Sequence, residues 1–403
     1  MLISLVVTLL TARYLGPSNY GLINYATSFV AFFTSFCTLG INSLLVRELV
    51  ERPEDEGEVL GTSLVLQGIS SVLSALTILA VVSIIDRDEP CTILVVAVCS
   101  LGMVFKIFGT LNYWFQRHLK SRFTAVATLV AYIATAGYRV ALIISGQSVT
   151  LFALATSVDY LVLALMLFAF YRECGGQRLG FSWSYAKELL SRSKHFILSG
   201  LMVAIYGQTD KLMLKHMLDV AETGFYSTAT AINCMWCFVL AAIIDSLYPS
   251  VIEAHKSGDK ELFNRKNCQL YAIVFYISMA VAVLFNVFAE LVIYILYGRE
   301  YLPAAVPLRI VSWYTAFSYL GVAREAWIVC KNKQKHLVKI YVTAAVGNVV
   351  LNYLLIPIWG AGGAAMASLL AQILTGFVLP FFIKDLRENA ILMLDGIMLR
   401  KLR

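Results

Sequence analysis

The sequence predicts an all-α, polytopic membrane protein, and its composition, its apolar segments and its basic residues all indicate this class. Of its 403 residues, 59% are hydrophobic and 14% are charged, whereas soluble proteins carry roughly 25% charged residues. The apolar segments reach about 20 residues, a length that suits membrane helices and exceeds the ten-residue strands of a β-barrel. The net charge of +7 comes from short basic groups between these segments. It therefore indicates membrane topology and no nucleic-acid partner.

We predict twelve transmembrane helices, of which the first is truncated. The first apolar run, at 2–13, has only about twelve residues before Arg13, whereas a membrane helix needs about 20. Gly16 and Pro17 end this run, because glycine is flexible and proline lacks the amide donor. The eleven full spans are predicted at 21–44, 60–85, 91–115, 122–145, 149–171, 196–214, 223–249, 267–290, 304–330, 337–357 and 361–383.

The turn around Gly16 has a counterpart half a chain later. A shift of 203 positions aligns Leu15 with Leu218 and Gly21 with Gly224. The longest connection, at 171–194, separates six spans from six, and an even number of helices in each half predicts a parallel repeat. The predicted divisions are an N-terminal six-helix lobe at 1–171, a cytoplasmic linker at 172–195, a C-terminal six-helix lobe at 196–383 and a cytoplasmic amphipathic tail at 384–403.

The basic residues predict that both chain ends are cytoplasmic. Most of the 32 Lys and Arg residues lie in alternate loops and in the tail, and basic loops stay on the cytoplasmic side. The opposite loops hold only Arg13, Arg87, Lys215 and Arg299. The tail has apolar residues at helical spacing and basic residues at its end, so we expect it to lie on the inner membrane surface.

Motifs for enzymes, cofactors and metals are missing from the sequence. It has no P-loop, no GxSxG elbow and no His-rich cluster. The spacing of Cys234 and Cys237 is that of a redox motif, but the pair falls in the middle of a predicted span, without the strand–helix context of thioredoxin. We therefore predict a protein that is not an enzyme and that holds no cofactor or metal.

Five segments in order along the chain carry a resemblance to a known family. They read ARYLGPSNYGLINYATSF, LGINSLLVREL, TDKLMLKHML followed by GFYSTA, LYGREYLPAA, and LNYLLIPIWGAGGAAMAS. With these segments the chain resembles the oligosaccharide flippase, or polysaccharide transporter, family. That family is part of the multidrug/oligosaccharidyl-lipid/polysaccharide exporter superfamily.

The resemblance implies a fold and a function. The fold would be two pseudo-symmetric six-helix lobes around a central cavity, working by alternating access. Family members move lipid-linked oligosaccharide, usually on undecaprenyl diphosphate, across the prokaryotic plasma membrane. The implied setting is the synthesis of a surface polysaccharide such as O-antigen or exopolysaccharide, with membrane lipids and the glycan polymerase machinery as further partners.

Charged residues inside predicted spans are candidates for binding an anionic cargo, because a charge at mid-bilayer costs several kcal/mol unless it faces protein or water. Arginine and lysine hold diphosphate by charge-assisted hydrogen bonds. The candidates are Arg139, Lys211, Arg324 and Lys106. In the alternative interpretation each cation pairs with a neighbouring acid and joins helices, and Lys211 could pair with Asp210 or extend to the membrane surface.

Acids and amides in the spans form a second set of candidates. Asp159, Asp210 and Glu325 could couple transport to an ion gradient, although a structural hydrogen bond explains Asp159 equally well. Asn348 and Asn352 are four residues apart and share a helix face. They could bind sugar hydroxyls or join helices by hydrogen bonds.

Two other functions compete with the flippase. A cation-coupled multidrug exporter of the same fold would need an acidic, aromatic cavity, and the cationic candidates argue against one. A membrane-embedded glycan polymerase or ligase would need a long external loop with catalytic residues, and every predicted external loop is short.

Overall fold

The computed structural model describes residues 2–333 and 335–400, without the side chains of residues 2–4, 195, 198, 199, 335 and 338. Within these ranges every regular element is a helix and no strand occurs. The α-helices are α1 (Leu2–Cys37), α2 (Asn42–Glu51), α3 (Glu56–Ile85), α4 (Pro90–Lys106), α5 (Leu111–Arg117), α6 (Ser121–Ile144), α7 (Val149–Glu173), α8 (Trp183–Met217), α9 (Val220–Cys234), α10 (Cys237–Lys256), α11 (Lys260–Leu296), α12 (Ala305–Cys330), α13 (Lys335–Gln372), α14 (Leu379–Phe382) and α15 (Arg387–Ile397). Short 3₁₀ turns lie at Ile107–Thr110 and Arg299–Ala304, and a π-helical turn lies at Ile373–Val378.

Eight helical segments of the described chain are long and apolar enough to cross a membrane. Two of them, Leu5–Glu51 and Lys339–Phe382, each contain two of the predicted spans. The predicted spans at 196–214 and 304–330 are helical as well, within α8 and α12. The chain is therefore an all-α, polytopic membrane protein, and the predicted count of twelve fits this arrangement.

The predicted corner at Gly16 is confirmed, and so is its counterpart. Gly16 breaks α1 with φ 73° and ψ 170°, a conformation in the left-handed region that glycine adopts without a Cβ clash. The equivalent position in the second half, Asp219, is extended. Its side chain accepts a hydrogen bond of 2.8 Å from the Glu222 backbone N–H and so caps the start of α9.

A third corner lies at Gly360, between the last two predicted spans. Gly360 has φ 57° and ψ −134°, again positive in φ. The break frees the backbone N–H of Ala361, which donates a 2.6 Å hydrogen bond to the Glu222 carboxylate from α9. A side chain from another helix therefore caps the second half of α13.

Cys234 and Cys237 lie within one candidate membrane span, Val220–Lys256, as predicted. The helix has a two-residue interruption between them, because α9 ends at Cys234 and α10 begins at Cys237. The two helices pack on different partners, α9 mainly on α12 and α10 mainly on α11. At the end of α9, the Asn233 side chain donates a 2.6 Å hydrogen bond to Thr315 of α12.

The chain divides into two compact units, residues 1–208 and 209–403, with the division inside α8. The lobe, linker and tail boundaries set from the sequence remain predictions.

In unit 1, two buried acids join the predicted cytoplasmic ends of the helices. Glu56 accepts from Trp114 Nε1 at 2.7 Å and pairs with Arg117 and His118 at 3.0 and 2.9 Å. Glu48 pairs with Arg192 at 2.8 Å.

The core of unit 2 is built by α11 and α12, and the tail helix α15 packs onto α11. The apolar side chains of Ala390 and Met393 are fully buried. Asn389 Nδ2 donates a 2.7 Å hydrogen bond to the Tyr271 hydroxyl, and the Tyr276 hydroxyl donates one of 2.8 Å to the carbonyl of Ile397. The buried side of α15 therefore packs on α11, while Ile391, Met398 and Leu399 stay exposed, and the expectation that the tail lies on the inner membrane surface stays a prediction.

Candidate functional site

A small cavity of about 110 Å³ lies in unit 1 among α1, α6 and α7. We name it the Arg139 cavity; its lining residues are Val7, Tyr132, Thr135, Ala136, Arg139, Thr156, Asp159 and Tyr160. Those of α6 recur at intervals of three and four residues and so share one helix face. At about 30 Å³ for each water molecule, the volume suits a few waters or one phosphate group and excludes an oligosaccharide.

Arg139 enters this cavity with most of its donors unused by protein. Its Nη1 donates a 3.3 Å hydrogen bond to Thr8 Oγ1 on α1. A guanidinium has five N–H donors, so four remain without a partner among the described residues. Asp159 is its nearest acidic neighbour by charge interaction, but the two form no ion pair within 4 Å.

Lys106 lies next to the same site, at the end of α4. Its Nζ donates a 3.1 Å hydrogen bond to Thr34 Oγ1 and lies 5.6 Å from the centre of the Tyr160 ring. The described chain offers it no carboxylate within 4 Å. Tyr160 lines the Arg139 cavity together with Arg139 and Asp159, so Lys106 contacts one wall residue of this cavity without lining it.

Asp159 is the acid of this group. Its Oδ1 accepts a 3.1 Å hydrogen bond from Thr135 Oγ1 on the neighbouring helix α6. This contact is a structural hydrogen bond, the alternative to ion coupling that the sequence analysis left open for Asp159. The second oxygen has no protein partner in the described part of the chain, so the carboxylate is only partly satisfied.

Asp210 in unit 2 has very different surroundings. Its side chain is buried, at 4% exposure. Oδ1 accepts from Asn352 Nδ2 at 2.5 Å, and Oδ2 accepts from Ser368 Oγ at 2.6 Å and from the Tyr226 hydroxyl. These donors come from α9 and α13, so the carboxylate joins three helices.

Asn348 and Asn352 complete this group, which we name the Asp210 cluster (Asp210, Tyr226, Asn348, Asn352 and Ser368). Asn352 Nδ2 donates to Asn348 Oδ1 at 3.0 Å, which confirms the shared face. Asn348 Nδ2 donates to Ser368 Oγ at 3.2 Å. Both amides are fully buried. Their hydrogen bonds join helices, the second of the two roles that the sequence left open.

Lys211 follows Asp210 in the chain and does not pair with it. The oxygens of Asp210 are occupied by the other members of the cluster, and no described acid lies within 4 Å of the Lys211 ammonium. The side chain is half-buried. The structure therefore places Lys211 beside the cluster and not within it.

Arg324 and Glu325 point to different surroundings, as their neighbouring positions on one helix predict. Arg324 is buried in the core of unit 2, where Nη1 donates a 3.1 Å hydrogen bond to the carbonyl of Gly376 in the π-helical turn. Its Nε has no partner. Glu325 is exposed and contacts Tyr341. Neither residue lies at the Arg139 cavity.

Sequence reasoning missed three residues that complete these sites: Tyr160, Tyr226 and Ser368. Tyr226 lies in the segment GFYSTA and Ser368 in the segment AMAS, and both segments carried the family resemblance. The family resemblance of these segments was the feature of the sequence that could have pointed to Tyr226 and Ser368. The periodicity of a helix relates only residues that are close in the sequence. It could not have shown that these two hydroxyls meet at Asp210, because 142 residues separate Tyr226 from Ser368.

Comparison with known proteins agrees with this architecture. The sequence profile of the family described as "Polysaccharide biosynthesis protein" matches residues 10–307, well over half of the chain. The chain belongs to this family. As a polysaccharide biosynthesis protein it falls within the exporter superfamily that the sequence resembles.

Three proteins of known name are similar to this chain. Lipid II flippase MurJ of Bacillus subtilis (strain 168) is 26% identical over 214 residues, which are 49% of this chain and 39% of MurJ. An inward-facing multidrug resistance MATE family transporter of the MOP superfamily matches with a TM-score of 0.72 at 15% identity, covering 96% of this chain and 95% of its own. An inward closed structure of lipid II flippase MurJ matches with a TM-score of 0.71 at 14% identity, covering 98% and 88%. The structural matches show the fold, and the sequence match spans well under half of the curated relative.

Proposed function

We propose that the chain is a flippase that moves lipid-linked oligosaccharide, carried on undecaprenyl diphosphate, across a prokaryotic plasma membrane by alternating access. Arg139 and Lys106 carry this proposal. They are half-buried cations on membrane helices with no carboxylate within 4 Å among the described residues, and a charge held inside a membrane normally faces such a partner or water. An anionic head group supplies one. The fold of the lipid II flippase and the family match support the proposal.

The size of the Arg139 cavity defines the role of these cations. A volume of about 110 Å³ admits a phosphate group. In the proposal Arg139 therefore binds a phosphate of the diphosphate through its free N–H groups, and Lys106 adds a second positive charge. In this proposal the sugars and the lipid chain of the cargo lie outside the Arg139 cavity.

The test is transport by the purified chain in liposomes, followed as the initial rate at which a fluorescent lipid-linked oligosaccharide crosses the bilayer. Losing a charge-assisted hydrogen bond costs ~1.5–3 kcal/mol, so Arg139→Ala and Lys106→Met should each lower the rate about tenfold or more. Arg87→Ala is the matched control, because Arg87 is exposed and paired with Asp88. A rate for Arg139→Ala equal to that of the control would reject the proposal.

The alternative function is a cation-coupled multidrug exporter, which the fold of the MATE transporter also fits. The same liposomes distinguish it, because a flippase should not move a cationic dye. Dye export that depends on Asp159, with no transport of the lipid-linked oligosaccharide, would replace the proposed function by this one.

We assign ion coupling within this proposal to Asp159, with Asp210 as the alternative. Asp159 has one oxygen without a described partner and lies beside a cation, so its protonation would change the charge of the Arg139 cavity. Asp159→Asn should abolish any dependence of transport on an imposed pH gradient while a gradient-independent rate remains. A gradient dependence that Asp210→Asn removes and Asp159→Asn retains would move this role to Asp210.

The remaining candidates have secondary roles in the proposal. In the proposal the ammonium of Lys211 also binds cargo, and Asn348 and Asn352 would reach sugars only if the Asp210 cluster opened. Arg324 and Glu325 would act through the packing of α12. The finer setting, O-antigen or exopolysaccharide synthesis beside a glycan polymerase, is tested by surface-glycan analysis of a strain without this protein.

A further inference from the structure

A second, larger cavity opens on the surface of unit 2. It has a volume of about 590 Å³ and lies between α10, α11 and the segment that follows α15. We name it the α11 groove and define it by Lys266, Leu270, Ile273, Tyr276, Ile277 and Leu399. Its size falls in the range of ~300–1,000 Å³ that is typical of ligand pockets. It contains none of the residues of the proposed transport sites.

The groove is a straight apolar stripe along one helix. Lys266, Leu270, Ile273 and Ile277 follow at intervals of three and four residues, so they share one face of α11. With a rise of about 1.5 Å per residue, the stripe is about 16 Å long. This is about half of the ~30 Å hydrocarbon thickness of a bilayer. The stripe therefore matches the depth of one leaflet.

One end of the stripe is positively charged. Lys266 is the charged residue among those that line the groove, and the described chain provides it with no ion pair. Its neighbour Lys260 is already 3.5 Å from Glu388. The charge distribution of the sequence predicts that this end of α11 is cytoplasmic. A basic pocket between membrane helices on that side is typical of sites for anionic lipid head groups.

The far wall of the groove comes from the tail. The Tyr276 hydroxyl holds the carbonyl of Ile397 at 2.8 Å, and Leu399, which is 53% exposed, follows two residues later. Ile273 and Tyr276 are 39% and 45% exposed on α11. Both walls therefore present apolar surface, and an occupant would contact α11 and the tail at once.

We propose that the α11 groove binds an anionic phospholipid of the inner leaflet, with the phosphate at Lys266 and one acyl chain along Ile273, Tyr276 and Ile277, while the buried Leu270 lies beneath it. The length of the stripe fits one acyl chain, whereas the polyprenyl chain of a lipid-linked oligosaccharide is much longer. The lipid also fixes the end of the tail against α11. This site is independent of the proposed cargo path.

The experiment is native mass spectrometry of the full chain, released from detergent with equal amounts of phosphatidylglycerol and phosphatidylcholine. The wild-type chain should retain phosphatidylglycerol preferentially. A single basic residue at the membrane surface changes binding of anionic lipid about fivefold, so Lys266→Gln should lower this preference by about that factor. Arg265→Gln is the matched control, since it removes the same charge from the adjacent exposed position and should leave the preference unchanged.

Two further measurements decide the occupant. Ile273→Trp fills the stripe and should reduce retention of both phospholipids, while gel filtration checks that the variant is folded. Undecaprenyl phosphate at equal concentration should not displace phosphatidylglycerol. Equal lipid preference in Lys266→Gln and Arg265→Gln would overturn the proposal, and so would displacement by undecaprenyl phosphate, which would assign the groove to the lipid of the cargo.

Discussion

Asp159 and Asp210 are both acids on predicted membrane helices, and their surroundings differ in the number of hydrogen bonds that they accept. Asp159 accepts one, from Thr135, and lines a cavity beside a cation. Asp210 accepts three and is buried at the meeting of three helices. A satisfied buried carboxylate holds helices together, whereas a partly satisfied one at a cavity can still bind a ligand or a proton. The comparison separates a structural role from a functional one.

Removing Asp210 should have the largest effect on stability. Asp210→Ala leaves Asn352, Ser368 and Tyr226 without their acceptor in a buried site, and each unsatisfied group costs ~1–3 kcal/mol. We expect the free energy of unfolding to fall by about 3–5 kcal/mol, measured by denaturation in detergent. Asp159→Ala should cost less than about 1.5 kcal/mol, because only Thr135 loses an acceptor. Equal losses in the two variants would remove the distinction.

Removing a single donor sharpens the same comparison. Ser368→Ala takes one hydrogen bond from Asp210 and one acceptor from Asn348, so the free energy of unfolding should fall by about 1–3 kcal/mol. Thr135→Val, the equivalent change at Asp159, should cost about 0.5–1.5 kcal/mol. The denaturation experiment above measures both. A larger loss for Thr135→Val would mean that the hydrogen bond to Asp159 is the structural one.

Removing a third acid, Asp385, which lies outside the predicted membrane spans, should have the smallest effect on stability. Hydrogen bonds from Lys333 and His336, at 2.7 and 2.8 Å, lower the pKa of the exposed Asp385 carboxyl to about 2. Because the folded-state pKa lies below the unfolded value of about 3.9, this contact stabilises the fold above pH 4 and is lost as the pH falls toward 2. Asp385→Asn should therefore lower the unfolding temperature slightly at pH 7, and the difference from wild type should vanish near pH 2. A difference that grows on acidification would contradict this sign.

Local features of the sequence predicted the helices and their corners well. Gly16 and Pro17 break a helix by their own backbone properties, and Asn348 and Asn352 share a face because four residues make about one turn. These predictions need no knowledge of distant residues, and the structure confirms them.

Partners that are distant in the sequence could not be predicted. Lys106 meets Thr34 across 72 residues, and Asp210 meets Ser368 across 158. The packing of the tail on α11 could not be predicted for the same reason, since an apolar helix face fits a membrane surface and a neighbouring helix equally well. Arg324, like Arg139, is a cation on a predicted span, but it lies in a packed core.

The π-helical turn at Ile373–Val378, which receives the hydrogen bond from Arg324, has a consequence for insertions and deletions. A π-helical turn holds one residue more than an α-helical turn. Deletion of one residue, such as Thr375, would return this turn to α-helical geometry and leave the residues after it close to their present orientation, because the π-helical turn already absorbs one extra residue. Helix α15 would then keep Ala390 and Met393 against α11. The turn can therefore lose one residue without displacing α15, and the contact that such a deletion puts at risk is the hydrogen bond from Arg324, which ends in this turn.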